Sequence, residues 1–502
     1  MRSVTLLALQ LWSAVVVAAP TPSTLDACKA IQSAVPGKLF YPGDGPYKQE
    51  NSDYYNIGLS ELMPACIVRP TLTPEVAEIV KILNKFADVK FAVKSGGHDP
   101  NAGHSSVRDG VLIALSQMKG VEYDKAKKVV YLKPGGQWSG VIKELEKDGV
   151  TIVGGRIGAV GLGGYLMQGG LSYLSSQYGM AADQIVEYET VLANGTIAHI
   201  NQQTNKDLVV AMRGGGDQFG ITTKFTLTAY PIGKIWGGIR IFTQRDPTFA
   251  ALHDFIGGQK DPKAAIIFTT MSNPLGGSLF LVFFFYDGEK PPAGTFGKFE
   301  QLRPLIDMVK VQPYSDMVSL APSSSTGVTM RTAFRSITLP YLASRPGWYS
   351  EIEAKWANIT KSKLSGLAAL TGPQHTIAFQ PFGPLIGRAS EARGGNSMGI
   401  KGSDPPRFIL EITSLWSDKK DDEAAQGYAR ALTEWIEQQL KEVSGQASAK
   451  GDKVADYLPY FMNDAFAEQN VTGSYRDYER FKRAKAGVDP SGFWTRAGGF
   501  KY

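Results

Sequence analysis

The sequence predicts an α+β protein of two or three domains, with an antiparallel sheet backed by helices in its second half. The 502-residue length exceeds that of a typical single domain, and 43% of the residues are hydrophobic against 20% that are charged. Apolar segments of strand length alternate with amphipathic helical segments along the chain. This composition excludes a disordered chain, which needs few apolar residues and a high net charge.

The first half of the chain alternates short helices and strands. The apolar spacing predicts helices over residues 73–87 and 138–148, and strands at 90–94, 111–115, 128–133, 150–153, 185–192, 196–200 and 221–229.

After about residue 232 the predicted strands and helices become longer. Strands are predicted at 264–271, 278–286 and 408–415, and amphipathic helices at 295–309, 347–369 and 420–443. Strands interspersed with helices in this way favour one antiparallel sheet covered by helices.

The charge of the chain is weakly positive and evenly spread. Lys and Arg number 53 against 47 Asp and Glu, and no block of five or six like charges occurs. This distribution disfavours a nucleic-acid-binding arm or a polybasic membrane segment, so we expect no nucleic-acid partner.

The N-terminus has the pattern of a secretory signal peptide. Arg2 precedes an almost continuously apolar run over residues 6–17, which ends in Ala18-Ala19-Pro20. The run is shorter than the ~20 apolar residues of a membrane-spanning helix. We therefore predict a signal peptide over residues 1–18 and a chain that is secreted or enters the secretory pathway, the alternative being a buried N-terminal helix.

An exported chain is expected to carry disulfides and N-glycans. The two cysteines, Cys28 and Cys66, are predicted to form a disulfide, and the alternative is two buried thiols. Asn-x-Ser/Thr sequons occur at Asn194, Asn358 and Asn470. Since Asn194-Gly195 has the pattern of a tight hairpin turn, Asn358 and Asn470 are the better glycosylation candidates.

Glycine is concentrated in two loops, residues 95–103 and 154–170. Glycine permits positive φ and close approach of backbone N–H groups to a ligand, so such loops form anion-binding sites. The two loops together predict a clamp for a diphosphate. The Gly-Lys-Ser/Thr pattern of nucleotide triphosphatases is absent, and the dinucleotide fingerprint fails after Gly161-Leu-Gly163-Gly164 because position 166 is Leu.

The first loop carries one of only 5 histidines in the chain. The segment from Lys94 to Asp99, Lys-Ser-Gly-Gly-His-Asp, is followed by Gly-His-Ser-Ser at 103–106. Together they resemble the flavin-attachment loop of the berberine bridge enzyme-like FAD-linked oxidoreductases, which have a PCMH-type FAD-binding domain. Further motifs of this family follow in order at residues 110–116, 134–138, 160–170, 178–183, 212–216, 219–222, 463 and 489–490.

The resemblance is strong over residues 62–232 and looser over 375–502, and residues 392–396 are similar to a fungal branch of the family that acts in secondary metabolism. It implies FAD held covalently by His98 through the flavin 8α-methyl group. Bicovalent relatives have a cysteine where this chain has Ile157, so a single attachment is implied. The implied cofactor-binding residues are Ser95, Gly96, Gly97, His98, Asp99, His104, Gly163, Gly164, Gly169, Gly170, Gly220 and Ile221, and no metal is expected.

The resemblance also implies a two-lobed architecture. We expect an FAD-binding domain over residues 19–232 (PCMH-type core about 62–232), a substrate domain over 233–454 and a C-terminal segment, 455–502, that returns to the FAD domain. The expected function is hydride transfer from a small organic metabolite to FAD, which O2 reoxidises with formation of H2O2, in a monomeric protein. A carbohydrate oxidase, a non-redox flavin-dependent isomerase or cyclase, and a binding protein with a decayed site remain alternatives.

The leading candidate for the catalytic base is Glu411. It lies among apolar residues in the strand 408–415, and burial there would raise its pKa towards neutrality. The strand also resembles the family strand that faces the flavin, although alternation leaves open a solvent-exposed face. Tyr165 and Tyr460 are the competitors. Many relatives have a C-terminal Tyr-x-Asn; here Phe461 replaces that tyrosine, which leaves Asn463 to orient groups or form hydrogen bonds.

Overall fold

The computed structural model describes residues 20–272, 277–320, 330–361 and 374–502. The predicted signal peptide and the last eight residues of the predicted helix 347–369 lie outside these ranges. The described residues form three main β-sheets with associated helices, which confirms the α+β class.

The first sheet has four strands in the spatial order β1-β2-β4-β3, and β2 and β3 both run parallel to β4. Its elements in chain order are α1 (Pro22–Ala34), β1 (Leu39–Phe40), α2 (Gly45–Ser52), β2 (Cys66–Val68), α3 (Thr73–Asn84), β3 (Phe91–Lys94) and β4 (Val111–Ala114). Apolar side chains of α1 and α3 pack with this sheet in one buried cluster. The predicted disulfide is confirmed, because Cys28 of α1 is bonded to Cys66 of β2.

The second sheet is antiparallel, with the order β5-β6-β10-β8-β9, and a separate pair joins β7 to β11. Its elements are β5 (Val121–Asp124), β6 (Val129–Leu132), α4 (Trp138–Leu145), β7 (Val150–Thr151), α5 (Leu162–Met167), α6 (Ser175–Tyr178), β8 (Ile185–Val191), β9 (Ile197–Asn201), α7 (Lys206–Met212), β10 (Ile221–Thr228) and β11 (Tyr230–Pro231). The predicted hairpin turn at Asn194-Gly195 joins β8 to β9, and Gly195 has φ +80°.

The third sheet has eight strands and is antiparallel throughout, as predicted. Its order is β15-β12-β14-β13-β18-β19-β17, and β16 also pairs with β12. The remaining elements are β12 (Ile235–Phe242), α8 (Arg245–Gly258), β13 (Ala264–Ser272), β14 (Ser278–Tyr286), β15 (Ile306–Asp307), β16 (Lys310–Gln312), α9 (Tyr314–Val318), β17 (Arg331–Pro340), α10 (Trp348–Lys361), β18 (Gln374–Phe382), α11 (Pro384–Ala392), β19 (Arg407–Trp416), α12 (Asp422–Ala449) and α13 (Tyr478–Val488). Side chains of α8, α10 and α12 share one aromatic-rich core with this sheet.

The helix predicted over residues 295–309 is wrong. The segment forms one 3-10 turn at Gly297–Gln301 and then runs along the sheet edge, where the N–H of Leu305 donates to the carbonyl of Ile241 at 2.7 Å. Pro304 has no N–H and its ring blocks a continuous helix, while β12 offers hydrogen-bond partners along its outer side. The apolar residues of this segment are therefore divided between the 3-10 turn, which contains buried Phe299, and the short edge strand β15.

The last segment of the chain packs back against the first sheet. The guanidinium of Arg496 donates to the carbonyls of Phe86 and Leu83, at the end of α3. The amide nitrogen of Asn101 donates to the carbonyl of Ala465 at 3.0 Å. These contacts place residues near 463 beside the first glycine-rich loop. Among the described residues, no helix combines the length and apolar content needed to cross a membrane.

Candidate active site

A large cavity lies where the two glycine-rich loops meet β19 and the C-terminal segment. It encloses about 1440 Å³ of space free of protein atoms, including the part that opens to solvent. Most of the predicted site residues line it: Ser95, Gly96, Gly97, His98, Asp99, His104, Gly163, Gly164, Tyr165, Gly220, Ile221, Glu411 and Asn463. The predicted residues Gly169, Gly170 and Tyr460 are not among the lining residues.

The two glycine-rich loops touch each other at one wall of the cavity. A Cβ atom on Gly96 would lie only 2.4 Å from the Cα of Gly161, so the contact requires glycine. The Ser95 hydroxyl donates to the carbonyl of Pro134 at 2.6 Å and accepts from the N–H of Gly163 at 3.1 Å. The first loop is therefore tied to the second by a hydrogen bond as well as by backbone contact.

The backbone of the first loop fits a diphosphate. Gly97 has φ +65°, a conformation that favours glycine. Within the described ranges, the N–H groups of Gly96 and Gly97 have no hydrogen-bond partner, although both residues line the cavity. Adjacent unpaired N–H groups facing a cavity form a site for a phosphate oxygen. These residues therefore fit the diphosphate of FAD.

His98 is held by aromatic stacking. The ring of Tyr55 stacks on it with a centroid distance of 4.0 Å and an interplanar angle of 13°, and Phe334 lies 6.2 Å from it. Burial lowers the pKa of His98 to about 4, so its imidazole is neutral at neutral pH. One ring nitrogen therefore retains a lone pair for bonding.

Asp99 and His104 form an ion pair behind the first loop, at 2.9 Å between Oδ2 and Nδ1. Burial opposes charge on both groups, but their mutual attraction outweighs it, lowering the pKa of Asp99 and raising that of His104. The ring of Phe500 packs edge-on against His104 at 4.9 Å. The C-terminal tail thereby covers this end of the cavity.

Asn463 fixes the second glycine-rich loop. Its Oδ1 accepts from the N–H of Gly170 at 2.9 Å, and its Nδ2 donates to the carbonyl of Tyr165 at 3.3 Å. Gly169 and Gly170 have φ +110° and +69°, so they form the turn that presents this N–H. Gly170 is therefore bonded to a residue that lines the cavity, although neither glycine lines it.

The two tyrosine candidates are differently placed. The Tyr165 hydroxyl contacts the carbonyls of Leu171 at 2.9 Å and Gly154 at 3.1 Å, and burial raises its pKa further above the ordinary value. A hydroxyl that donates to buried carbonyls is poorly suited to accept a proton. The Tyr460 hydroxyl donates to Glu437 at 3.2 Å, outside the cavity lining.

Glu411 opens into the cavity from the middle of β19. Its neighbours across the sheet, Ser336 on β17 and Ala378 on β18, are small and leave room for the carboxylate. The hydroxyl of Thr413 donates to its Oε1 at 3.1 Å and the amide nitrogen of Gln380 donates to its Oε2, also at 3.1 Å. Glu411 is half-buried. The face of β19 that carries it, whose environment the sequence did not determine, is a wall of the cavity.

A second carboxylate, Asp464, shares the Gln380 amide. Gln380 Nε2 donates to Asp464 Oδ2 at 2.9 Å, so one NH2 group bridges both acids. Burial, followed by the negative charge of Asp464, raises the pKa of Glu411 to about 8. Burial also raises the pKa of Asp464. The pair therefore retains a proton near neutral pH.

Five residues of this site were missed by sequence reasoning: Tyr55, Arg156, Phe334, Gln380 and Asp464. Two of them had a local signal. Arg156 interrupts a glycine run, and Asp464 directly follows the predicted Asn463. The others lie in ordinary strand or loop sequence, and only the fold brings them to His98 and Glu411.

Comparison with known proteins agrees with this geometry. The family model of the FAD binding domain matches residues 64–201. An uncharacterized FAD-linked oxidoreductase from Arthroderma benhamiae is 31% identical over 471 residues, covering 92% of this chain and 91% of that protein. The bifunctional solanapyrone synthase of Alternaria solani is 30% identical over 484 residues, covering 95% of this chain and 88% of that protein.

The fold is also found among solved structures. Berberine bridge enzyme from Eschscholzia californica superposes with a TM-score of 0.74 at 16% identity, covering 95% of this chain and 99% of that chain. The sequence similarity to these relatives extends over more than nine-tenths of this chain. This chain therefore belongs to the family of FAD-linked oxidoreductases and has the fold of berberine bridge enzyme.

Proposed function

We propose that this oxidoreductase is a secreted oxidase that transfers hydride from a small organic metabolite to covalently bound FAD, with O2 as the final acceptor and H2O2 as product. One observation carries the proposal: His98, Glu411 and both glycine-rich loops open into a single cavity. Bound FAD supplies the hydride acceptor, and the protein supplies orientation and proton transfer.

The residues around His98 suit a single covalent attachment. The neutral imidazole has the lone pair that attachment to the flavin 8α-methyl carbon would require, and stacking on Tyr55 fixes the ring plane. Attachment would replace a methyl C–H bond by the N–C bond, with loss of the proton and transfer of the electron pair through the flavin to O2. Ile157 lines the cavity where bicovalent relatives have a cysteine. The chain has only 2 cysteines, which are joined to each other, so no thiol is left for a second bond.

Glu411 is the proposed catalytic base. As hydride leaves a substrate carbon, the attached O–H or N–H must lose its proton to a group within hydrogen-bond reach. Glu411 lies on the cavity wall with a pKa raised by burial to about 8, which suits proton transfer near neutral pH. Buried Phe334, Phe461 and Leu171 line the cavity and make part of its wall apolar.

Secretion and specialised metabolism are the finer parts of the proposal. Disulfides persist in oxidising compartments, so the Cys28–Cys66 bond supports passage through the secretory pathway. The side chains of Asn358 and Asn470 are exposed and accessible to N-glycosylation. Similarity to a fungal synthase of solanapyrone supports a role in specialised-metabolite biosynthesis.

Attachment is tested by acid precipitation and peptide mapping of the secreted protein. The pellet should retain flavin on a peptide that contains His98, and His98→Ala should fold but release its flavin on precipitation. His199→Ala is the matched control, because His199 is an exposed histidine on β9. Release of all flavin from the native protein would contradict covalent attachment.

Use of O2 can be measured without knowing the substrate. The holoenzyme is reduced anaerobically with dithionite and then mixed with oxygenated buffer while flavin absorbance and H2O2 are followed. An oxidase should reoxidise faster than free reduced flavin and form one H2O2 per flavin. Reoxidation no faster than that of free flavin would favour the isomerase or cyclase. Anaerobic reduction by simple sugars would favour the carbohydrate oxidase.

A further inference from the structure

We propose that Arg156 anchors the substrate by pairing with an anionic oxygen. The substrate would carry this oxygen, as a carboxylate or an acidic enol or phenol, on an apolar body. This inference rests on the proposed function. Arg156 lines the same cavity as His98 and Glu411. The proposal names a ligand class for this site, and four features of the structure support it.

The backbone on either side of Arg156 is fixed. Gly154 and Gly155 press against the Trp138 indole so closely that a Cβ on either would lie 2.5 or 2.4 Å from the ring. On the other side, the N–H of Gly158 donates to the carbonyl of Val318 at 2.7 Å. The backbone that carries Arg156 is therefore held in place, so binding has to order only the side chain.

The guanidinium of Arg156 has no partner among the residues that the structure describes. Within the described ranges it forms neither a hydrogen bond nor an ion pair, whereas the buried Arg213, Arg331 and Arg407 all do. The residues outside those ranges include no Asp or Glu, so they offer it no side-chain carboxylate. A half-buried charge left unpaired is costly, and an anionic ligand would remove that cost.

The acids lie within electrostatic reach of Arg156 but do not neutralise it. Its charge counteracts the burial that raises the pKa of both Glu411 and Asp464, yet neither carboxylate forms an ion pair with it. The carboxylates are instead held by Gln380. The cavity thus has a cationic group separate from its proton-accepting pair. A substrate anion on Arg156 would direct its oxidisable carbon towards Glu411 and the flavin.

The cavity that contains Arg156 also has apolar lining residues. Ile157, Leu171, Phe334 and Phe461 all line the cavity. An apolar or aromatic body can bury against these side chains while the anionic oxygen pairs with the guanidinium in the bidentate geometry that arginine favours. Sugars lack both features.

The test compares the binding of matched anionic and neutral probes to the oxidised holoenzyme. Binding is detected through the change in flavin absorbance. Benzoate is compared with benzamide, and hexanoate with hexanamide. A charge-assisted pair predicts at least about tenfold tighter binding of one or both carboxylates. Arg156→Gln should abolish this preference with the amide affinities unchanged, and Arg156→Lys should keep part of it. Arg108→Gln is the control, because Arg108 is exposed and outside the cavity.

Three results would overturn the proposal. The first is that neither carboxylate binds more tightly than its amide. The second is that Arg156→Gln retains the preference for the carboxylates. The third is that Arg156→Gln shifts the flavin midpoint potential while anion binding stays normal. The third result would mean that the positive charge of Arg156 acts on the flavin and not on a substrate. Should Arg156→Gln fail to fold, Arg156→Lys decides, because a charge-based anchor must retain a preference there. The proposed function fails separately, through loss of flavin on acid precipitation of the native protein.

Discussion

Replacing Asp464 by asparagine should move the pH dependence of the reductive half-reaction to lower pH. Asp464 is bonded to the same amide nitrogen as Glu411, and its charge is the second cause, after burial, of the raised pKa of Glu411. Asparagine keeps the size of the side chain and can still accept from Gln380. The substitution therefore removes mainly a negative charge.

The size of the shift follows from the geometry. Both carboxylate oxygens lie within 3.1 Å of Gln380 Nε2, so they are at most about 6 Å apart. Two unit charges at that distance interact by about 2.8 kcal/mol at an effective dielectric constant of about 20, which corresponds to about two pKa units. We expect a downward shift of one to roughly two units in the pKa of Glu411, because part of the pair already carries a proton.

This shift has a defined sign at neutral pH. With a pKa of about 8, roughly one-tenth of Glu411 is ionised at pH 7. A pKa of about 7 or 6 would make about one-half or nine-tenths of it ionised, so the rate at pH 7 should rise about five- to tenfold. The plateau at high pH should stay the same, since Glu411 is fully ionised there in both proteins.

The measurement is the rate of anaerobic flavin reduction by a substrate, recorded from about pH 5 to about pH 10. The pH titration of flavin absorbance gives a second readout that needs no substrate. Thr413→Val is the matched variant of opposite sign, because the Thr413 hydroxyl donates to Glu411 and its loss should raise the pKa. A profile for Asp464→Asn that is unmoved or shifted to higher pH would refute the coupling of the two acids.

The other predictions concern the base, the disulfide and the glycine contact. Glu411→Gln should slow flavin reduction by roughly 10²–10⁴ with covalent flavin intact. Because the folded-state pKa of Glu411 is raised, its carboxylate destabilises the fold increasingly as pH rises from about 4.5 through about 8. The same variant should therefore melt higher than native protein above about pH 8 and equally below about pH 4, and equal melting at both would contradict the shift. Replacing Cys28 and Cys66, which are 38 residues apart, by alanine should lower the free energy of unfolding by about 4 kcal/mol in denaturant titrations, and an unchanged value would reject a stabilising role. Gly96→Ala should abolish FAD incorporation, measured by flavin per protein, because its Cβ would clash with the second glycine loop. Gly140→Ala, a helical glycine with open space around it, is its control; equal flavin content in both variants would show that the loop contact is dispensable.

Local sequence predicted the individual loops but not their contact. Ser95, Gly96, Gly97 and His98 stand together at a strand end, and such a run has few explanations other than a ligand-binding backbone. The contact between Gly96 and Gly161 joins loops that are far apart in the chain, and only the packing of the first sheet on the second produces it. A high glycine content indicates that the backbone closely approaches a ligand or another chain segment, but it does not identify which ligand or segment.

The residues that were missed depend on register between distant segments. Gln380 reaches Glu411 because β18 pairs with β19 so that Ala378 lies opposite Glu411. Tyr55 reaches His98 because its N–H donates to the carbonyl of Gly97 from a loop before the predicted core. No periodicity within either segment contains this information, since the pairing is set by the sheet and by loop docking.

Glu411 shows why a face can be predicted when its environment cannot. Alternation along β19 places Glu411 with Ile409 and Thr413, opposite Leu410 and Ile412 of the core, but says nothing of what covers that face. The cover is the segment from Phe461 to Asp464, which starts 50 residues further along the chain. The same segment contributes the acid that raises the pKa of Glu411 and the asparagine that holds the second glycine loop. One short segment therefore acts on both the proposed base and the second glycine loop, so substitution of Asp464 should alter the pH dependence and substitution of its neighbour Asn463 should alter flavin incorporation.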